Sequence, residues 1–163
     1  MSHSKPGLIR SLNILIAEDN PDDIFLLQEA AKKAGVTSRL YAVRDGVETL
    51  EYLSGDGAFA DRNTYPFPDV LLLDLSMPRM NGFELLEQLR SDPRFSSLVV
   101  HILTASGRDE DVDRAYRLHA NSYLVKPTRV DQLVQLLALL QQWHGLIRLP
   151  TIRAEPRPLL QTS

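Results

Sequence analysis

The 163-residue sequence contains no cysteine, which excludes disulfides, thiolate catalysis and cysteine-built zinc sites. It also lacks any apolar run near the roughly 20 residues that a membrane span requires. The amino-terminal stretch MSHSKPGLIRS has no apolar segment of about 7 to 15 residues followed by a small-residue cleavage site. Export is therefore not expected, and a cytoplasmic location is. A basic surplus is missing as well: the net charge is -3, and no lysine and arginine run marks a nucleic-acid footprint, so direct DNA binding is not expected. His3, His101, His119 and His144 show no metal-ligand spacing. The serines stand in no G-x-S-x-G elbow or Ser-His-Asp setting, which leaves hydrolase chemistry by that route unsupported. Internal repeats and low-complexity tracts are absent too.

What remains is a composition of 44% hydrophobic and 24% charged residues, typical of one folded domain of ordinary size. Short apolar, β-branched runs alternate with longer segments of helical spacing, the pattern of βαβ units and a parallel sheet. Strands are predicted at 12-17, 38-43, 69-74, 98-104 and 121-125. Helices follow at about 21-35, 46-54, 82-91, 107-119 and 129-143. Asn20 reads as the cap of the first helix, Pro21 as its first residue, and Asp22 and Asp23 as complements to its dipole. Val130, Leu133, Val134, Leu137 and Leu140 form the apolar stripe of the last helix. Five strands and five helices in alternation point to a doubly wound α/β sheet with right-handed crossovers. Residues 55-68 form a long loop of the kind that is usually functional or mobile. The expected division is an N-terminal extension at 1-11, a folded domain at 12-144 and a proline-containing tail at 145-163.

In such sheets ligands bind beyond the carboxyl ends of the strands, so polar residues at those ends carry information. Glu18 and Asp19 end the first strand, Asp74 the third, Thr104 the fourth, and Lys126 follows the fifth. Three carboxylates in one crevice repel one another unless a cation compensates them. Magnesium suits hard oxygen ligands and bridges carboxylates to phosphate, while a lysine ammonium can meet the remaining phosphoryl oxygens. A carboxylate in line can serve as the nucleophile and form an acyl phosphate.

Glu18-Asp19, Asp74 followed by LSMPRMNG, Thr104-Ala105, and Tyr123 with Lys126-Pro127 resemble the response-regulator receiver family across about residues 12 to 143. The resemblance implies a flavodoxin-like receiver fold with strand order 2-1-3-4-5. It implies that Asp74 accepts a phosphoryl group from a phosphohistidine of a sensor histidine kinase. By the same resemblance, Asp19, Asp74 and the Ser76 backbone carbonyl bind Mg2+, for which Mn2+ is a possible substitute, and Glu18 acts through water. Lys126, the Thr104 hydroxyl and the Ala105 N-H would hold phosphoryl oxygens, with Thr104 and Tyr123 as the switch pair. Pro78 and Gly82 would shape the loop after Asp74, and the Lys126-Pro127 peptide would be cis. Many members carry Asp-Asp where this chain has Glu18-Asp19, and the longer side chain alters how the first carboxylate reaches a metal-bound water.

A narrower resemblance concerns single-domain regulators paired with phytochrome histidine kinases. It rests on the 55-68 loop, LRSDPRF, ANSYLVKP and the run from Trp143 through Leu146, Ile147, Arg148, Leu149 and Pro150. It implies a phytochrome-type kinase as partner, output through protein interaction and a homodimer using the carboxyl end.

Each residue also has an ordinary reading. Asp74 alone could be a turn residue, and only its company argues otherwise. Asp22 and Asp23 read as helix-dipole residues, Met77 and Met80 as packing residues, and His101 as a packed strand residue. Tyr123 stands between strand aromatic and switch, and Trp143 between helix packing and dimer contact. Two other functions compete with the signalling reading. A haloacid-dehalogenase-type enzyme would want a second aspartate two residues after Asp74, where this chain has Ser76. A phosphorylation-independent scaffold would bind its partner regardless of Asp74.

Overall fold

The computed structural model describes residues 11–152. Residues 1–10 of the expected N-terminal extension, with His3, and the tail beyond residue 152 lie outside the described residues. Among the described residues five strands are present: β1 (Asn13–Ala17), β2 (Arg39–Val43), β3 (Val70–Leu73), β4 (Val99–Thr104) and β5 (Ser122–Val125). They alternate with α1 (Pro21–Lys33), α2 (Gly46–Ser54), α3 (Gly82–Ser91), α4 (Asp109–Arg117) and α5 (Val130–Leu146). All pairings are parallel and the order is β2-β1-β3-β4-β5, the doubly wound arrangement expected from the alternation and the resemblance.

Strand side chains alternate between two cores, as a two-residue period requires. Leu15, Ala17, Leu71, Leu73, Val100 and Ile102 face α2, α3 and α4, where Leu53, Phe83, Leu85, Leu86 and Ala115 meet them. Ile14, Ile16, Val70, Leu72 and Leu103 face α1 and α5, against Leu27, Ala30, Ala31, Leu133 and Leu137. With both faces covered, β3 is buried at every position, which is why its sequence shows no polar alternation.

The helix starts follow local chemistry. Asn20 caps α1 by accepting from the Asp22 N-H at 2.9 Å, with Pro21 at the first position. Asn81 and Glu84 form a reciprocal capping box at α3. Helix α4 begins two residues later than position 107, and Arg108 caps it without a side-chain hydrogen bond.

Three expectations change. The 55-68 loop contains a short 3-10 turn, Gly57–Phe59, and is pinned to the body. Arg62 donates to the carbonyls of Tyr52, Leu53 and Tyr65, and Phe59 and Tyr65 pack on the Tyr52 ring. Contacts of this kind join residues without helical or strand periodicity, so pattern reading misses them. Secondly, α5 continues to Leu146, and the chain after it stays on the body: Leu149 packs against the α1/α5 core and Ile152 against the opposite one. Thirdly, the Lys126-Pro127 peptide is trans, since no described peptide bond is cis. Trans is the lower-energy form even before proline, and in it the Lys126 N-H still reaches the Thr104 carbonyl at 2.7 Å.

Candidate functional site

The parallel register brings the carboxyl ends of β1, β3, β4 and β5 to one edge. The ladder runs past the strands: the Asp74 N-H donates to the Ala17 carbonyl, and the Glu18 N-H to the Val43 carbonyl, each at 3.0 Å. Asp74 thus lies one residue beyond β3 and beside Glu18 and Asp19. An open crevice lined by Glu18, Asp19, Asp23, Asp74, Ser76, Thr104, Ala105 and Lys126, among others, forms here, where the strand order reverses between β1 and β3.

Asp74 is 6% exposed and its two oxygens have different partners. Oδ1 accepts from the Thr104 hydroxyl at 2.9 Å and from the Ser76 N-H at 3.2 Å. Oδ2 accepts from the Lys126 ammonium at 3.0 Å. Lys126 also donates to Glu18 and, at 2.9 Å, to Asp23. Burial raises Glu18 to about 7; its bond to Lys126 opposes that shift and the neighbouring Asp74 carboxylate reinforces it. Burial pushes Asp74 up as well, but Glu18, Lys126 and Thr104 outweigh it and hold the carboxyl below its ordinary value. Lys126 moves above its ordinary value, because its three carboxylate partners overcome the cost of burial. Asp74 is thus held toward its ionised form, and Glu18 beside it is shifted toward its protonated one.

One carboxylate oxygen from each of Glu18, Asp19 and Asp74 lies within 4.8 Å of the others, and this group could hold a metal ion. Glu18 and Asp74 are buried and Asp19 is exposed, so the oxygen set opens toward solvent. Hard oxygen donors with an open side suit a divalent cation that retains waters.

The loop after Asp74 is held from two directions. A Cβ on Gly82 would meet the Asp74 carbonyl oxygen at 2.4 Å, so only glycine permits α3 to start this close to the site. Arg79, in the left-handed conformation at φ 61, donates to Asp45 Oδ2 at 2.7 Å. Asp45 itself caps α2. Pro78 sits on the exposed side of the same loop, and its carbonyl accepts from the Met80 N-H at 2.7 Å.

Tyr123 is half-buried, and its hydroxyl donates to the Ser106 carbonyl at 2.8 Å. It therefore touches the loop that follows Thr104 and Ala105. Glu18, Asp19, Asp74, Thr104 and Lys126 line one crevice, as the strand-end argument required, and Ser76 and Ala105, named from the family resemblance, line it with them. Two participants were missed. Asp23 was assigned to the helix dipole alone, although the third position of a helix that starts beside Glu18 and Asp19 lies over the strand ends. Ser106 contributes through its backbone, for which side-chain chemistry offers no signal.

A second polar cluster lies away from the crevice. His101 on β4 and His144 on α5, 6% and 4% exposed, approach with Nε2 atoms 3.0 Å apart, while His101 Nδ1 is 2.6 Å from the Ser122 hydroxyl. Burial lowers His101 to about 4, with His144 reinforcing the shift, and burial lowers His144 too. His101 is a packed strand residue, as read from its position, but its partner was not foreseen.

Residues 14–138 match the response regulator receiver domain family, and the chain belongs to it. Among curated relatives, it is 36% identical to the probable methanogenesis regulatory protein FilR2 of Methanothrix harundinacea, over 84% of this chain and 86% of that protein. It is 31% identical to the response regulator Rcp1 of Synechocystis, over 84% and 92% respectively. Among solved structures, it resembles RPA3017, a response regulator in red light signaling of R. palustris, with TM-score 0.81 and 37% identity over 86% of this chain and 99% of that one. The phosphorylated cyanobacterial phytochrome response regulator RcpA gives TM-score 0.78 and 34% identity over 87% and 100%. The Mn(2+)-bound form of Rcp1 gives 0.74 and 30% over 86% and 99%. The protein is thus a two-component signalling receiver similar to phytochrome response regulators, and no helix among the described residues is long and apolar enough to cross a membrane.

Proposed function

We propose that Asp74 accepts a phosphoryl group from a phosphohistidine of a sensor histidine kinase of the phytochrome type. The observation that carries this is the division of labour at Asp74: Thr104 and Ser76 hold one oxygen and Lys126 the other. That leaves a carboxylate, held toward its ionised form, facing an open crevice. In transfer, an Asp74 oxygen forms the new bond to phosphorus, the phosphorus-nitrogen bond of the donor breaks, and the histidine nitrogen keeps the electron pair. Asp19, Asp74 and the Ser76 carbonyl would hold Mg2+, with Glu18 acting through water, and Mn2+ would substitute. The bound cation supplies positive charge for the phosphoryl oxygens. Lys126 moves its third donor from Asp74 to a phosphoryl oxygen, and the Thr104 hydroxyl and Ala105 N-H take another.

Thr104 leaves Asp74 in doing so, and Tyr123, tied to Ser106, follows the displaced loop. The change biases the α4, β5 and α5 surface between two states. Leu139, Trp143 and Leu146, 55%, 56% and 82% exposed, lie one helical turn apart in succession on α5. This apolar stripe supports homodimer formation through the carboxyl end. The working unit runs from β1 through α5, with residues 1-11 and the tail as extensions of it. The protein acts in the cytoplasm through protein contacts, without DNA binding or metabolic turnover. Incubation with a small-molecule phosphodonor and Mg2+ should add one phosphoryl mass to the wild-type chain and none to Asp74→Asn. Equal labelling of that variant would refute the assignment.

A further inference from the structure

An ammonium group has three N-H donors, and Lys126 directs all three at carboxylates: Glu18, Asp23 at 2.9 Å and Asp74 at 3.0 Å. Asp23 differs from the other two. It lies on the first turn of α1, its side chain is 34% exposed, and it is outside the oxygen group that could hold a cation. Its bond to Lys126 ties α1 to the segment after β5. When Asp74 becomes an acyl phosphate it loses its charge, so one Lys126 donor is released to the phosphoryl group. The Glu18 bond is buried, with a side chain only 3% exposed. A second ammonium donor can reach the phosphoryl oxygens only by leaving Asp23, whose negative charge also repels the incoming dianion.

We propose that Asp23 is a positioning residue that restrains Lys126 and competes with the phosphoryl group on Asp74 for its ammonium, thereby setting how fully the site loads. The proposal rests on Asp74 being the acceptor.

The test is calorimetric titration of the full chain, in excess Mg2+, with beryllofluoride as the phosphoryl mimic. Asp23→Asn and Asp23→Ser, which remove the charge while retaining a polar group in the first helical turn, should bind it more tightly by about fivefold. Asp23→Glu, which keeps the charge within reach of Lys126, should stay near wild type. A thermal melt of each metal-free variant distinguishes altered binding from loss of fold. Unchanged or weaker binding by both charge-removing variants overturns the proposal, as does a gain in Asp23→Glu equal to theirs. If the wild-type chain itself binds no beryllofluoride, the Asp74 assignment falls and the proposal falls with it. Those two failures are told apart by the wild-type titration.

Discussion

The crevice at the strand ends and the His101-His144 pair are both polar clusters attached to β4, yet they meet burial in opposite ways. In the crevice, charge is retained because opposite charge is present: Lys126 rises above its ordinary value and Asp74 falls below its own. Glu18, buried more deeply than Asp74, is displaced toward neutrality. Between β4 and α5 the hydrogen-bond contacts of the two rings among the described residues include no counter-charge. His101 hydrogen-bonds to Ser122 and His144, and His144 Nδ1 is buried without a hydrogen-bond partner among the described residues. Burial therefore shifts both imidazoles toward the neutral form. The lesson is that burial alone does not determine charge state: the same sheet holds ions where a partner ion is supplied and an open edge admits solvent, and neutral rings where neither is.

Removing Lys126 should break this contrast most strongly. Lys126→Ala leaves Glu18, Asp23 and Asp74 without their shared cation, so the metal-free protein should lose about 3 kcal/mol. Urea unfolding with and without Mg2+ checks this, and the metal should restore part of the loss in the variant. Equal stability of variant and wild type without metal would mean that the crevice does not depend on charge pairing.

The histidine pair gives the next largest effect. Its folded-state proton affinity is depressed, to about 4 for His101 against an ordinary value of 6.5, so below pH 6.5 the unfolded chain takes up protons that the folded one refuses. Stability should be fully present above pH 6.5 and decline as pH falls toward 4, by about 2 to 3 kcal/mol at pH 4.5 from His101 alone. The double variant His101→Leu, His144→Leu should lack that component. Parallel denaturation series at pH 7.5 and 4.5 isolate it, because the carboxylates titrate alike in both proteins.

A pair of glycines sharpens the comparison with the smallest effect. Gly82→Ala would drive a methyl group against the Asp74 carbonyl, 2.4 Å away, and should cost about 2 kcal/mol and weaken phosphoryl loading. Gly145→Ala, next to His144, has nothing within 4 Å and lies inside α5, so it should stabilise by about 0.5 kcal/mol. Thermal denaturation of the two variants should give shifts of opposite sign.

Much of this site was legible before any fold was known, for a reason visible in particular residues. Glu18, Asp19, Asp74, Thr104 and Lys126 each follow a short apolar run, and parallel strands must discharge their carboxyl ends along one edge. Asn20 and Pro21 announced the start of α1 by local chemistry alone. Asp23 was read as a dipole residue because helix position says nothing about which strand's lysine will stand opposite. His144 gave no signal because a helix residue 43 positions from its partner has no spacing rule to betray it. Arg62 and Arg79 were silent for the same reason, since Arg62 reaches back to the Tyr52 and Leu53 carbonyls of α2 and Arg79 to Asp45.

The amino-acid sequence by itself therefore determined the βα alternation, the two-faced burial of β3 and the chemistry available at the strand ends, all of which follow from local periodicity and capping. Tertiary structure alone decided that Lys126 divides itself among Glu18, Asp23 and Asp74, that Gly82 must admit the Asp74 carbonyl, and that two histidines meet behind the sheet. These are contacts between segments distant in the chain, and packing, which local pattern does not encode, selects them.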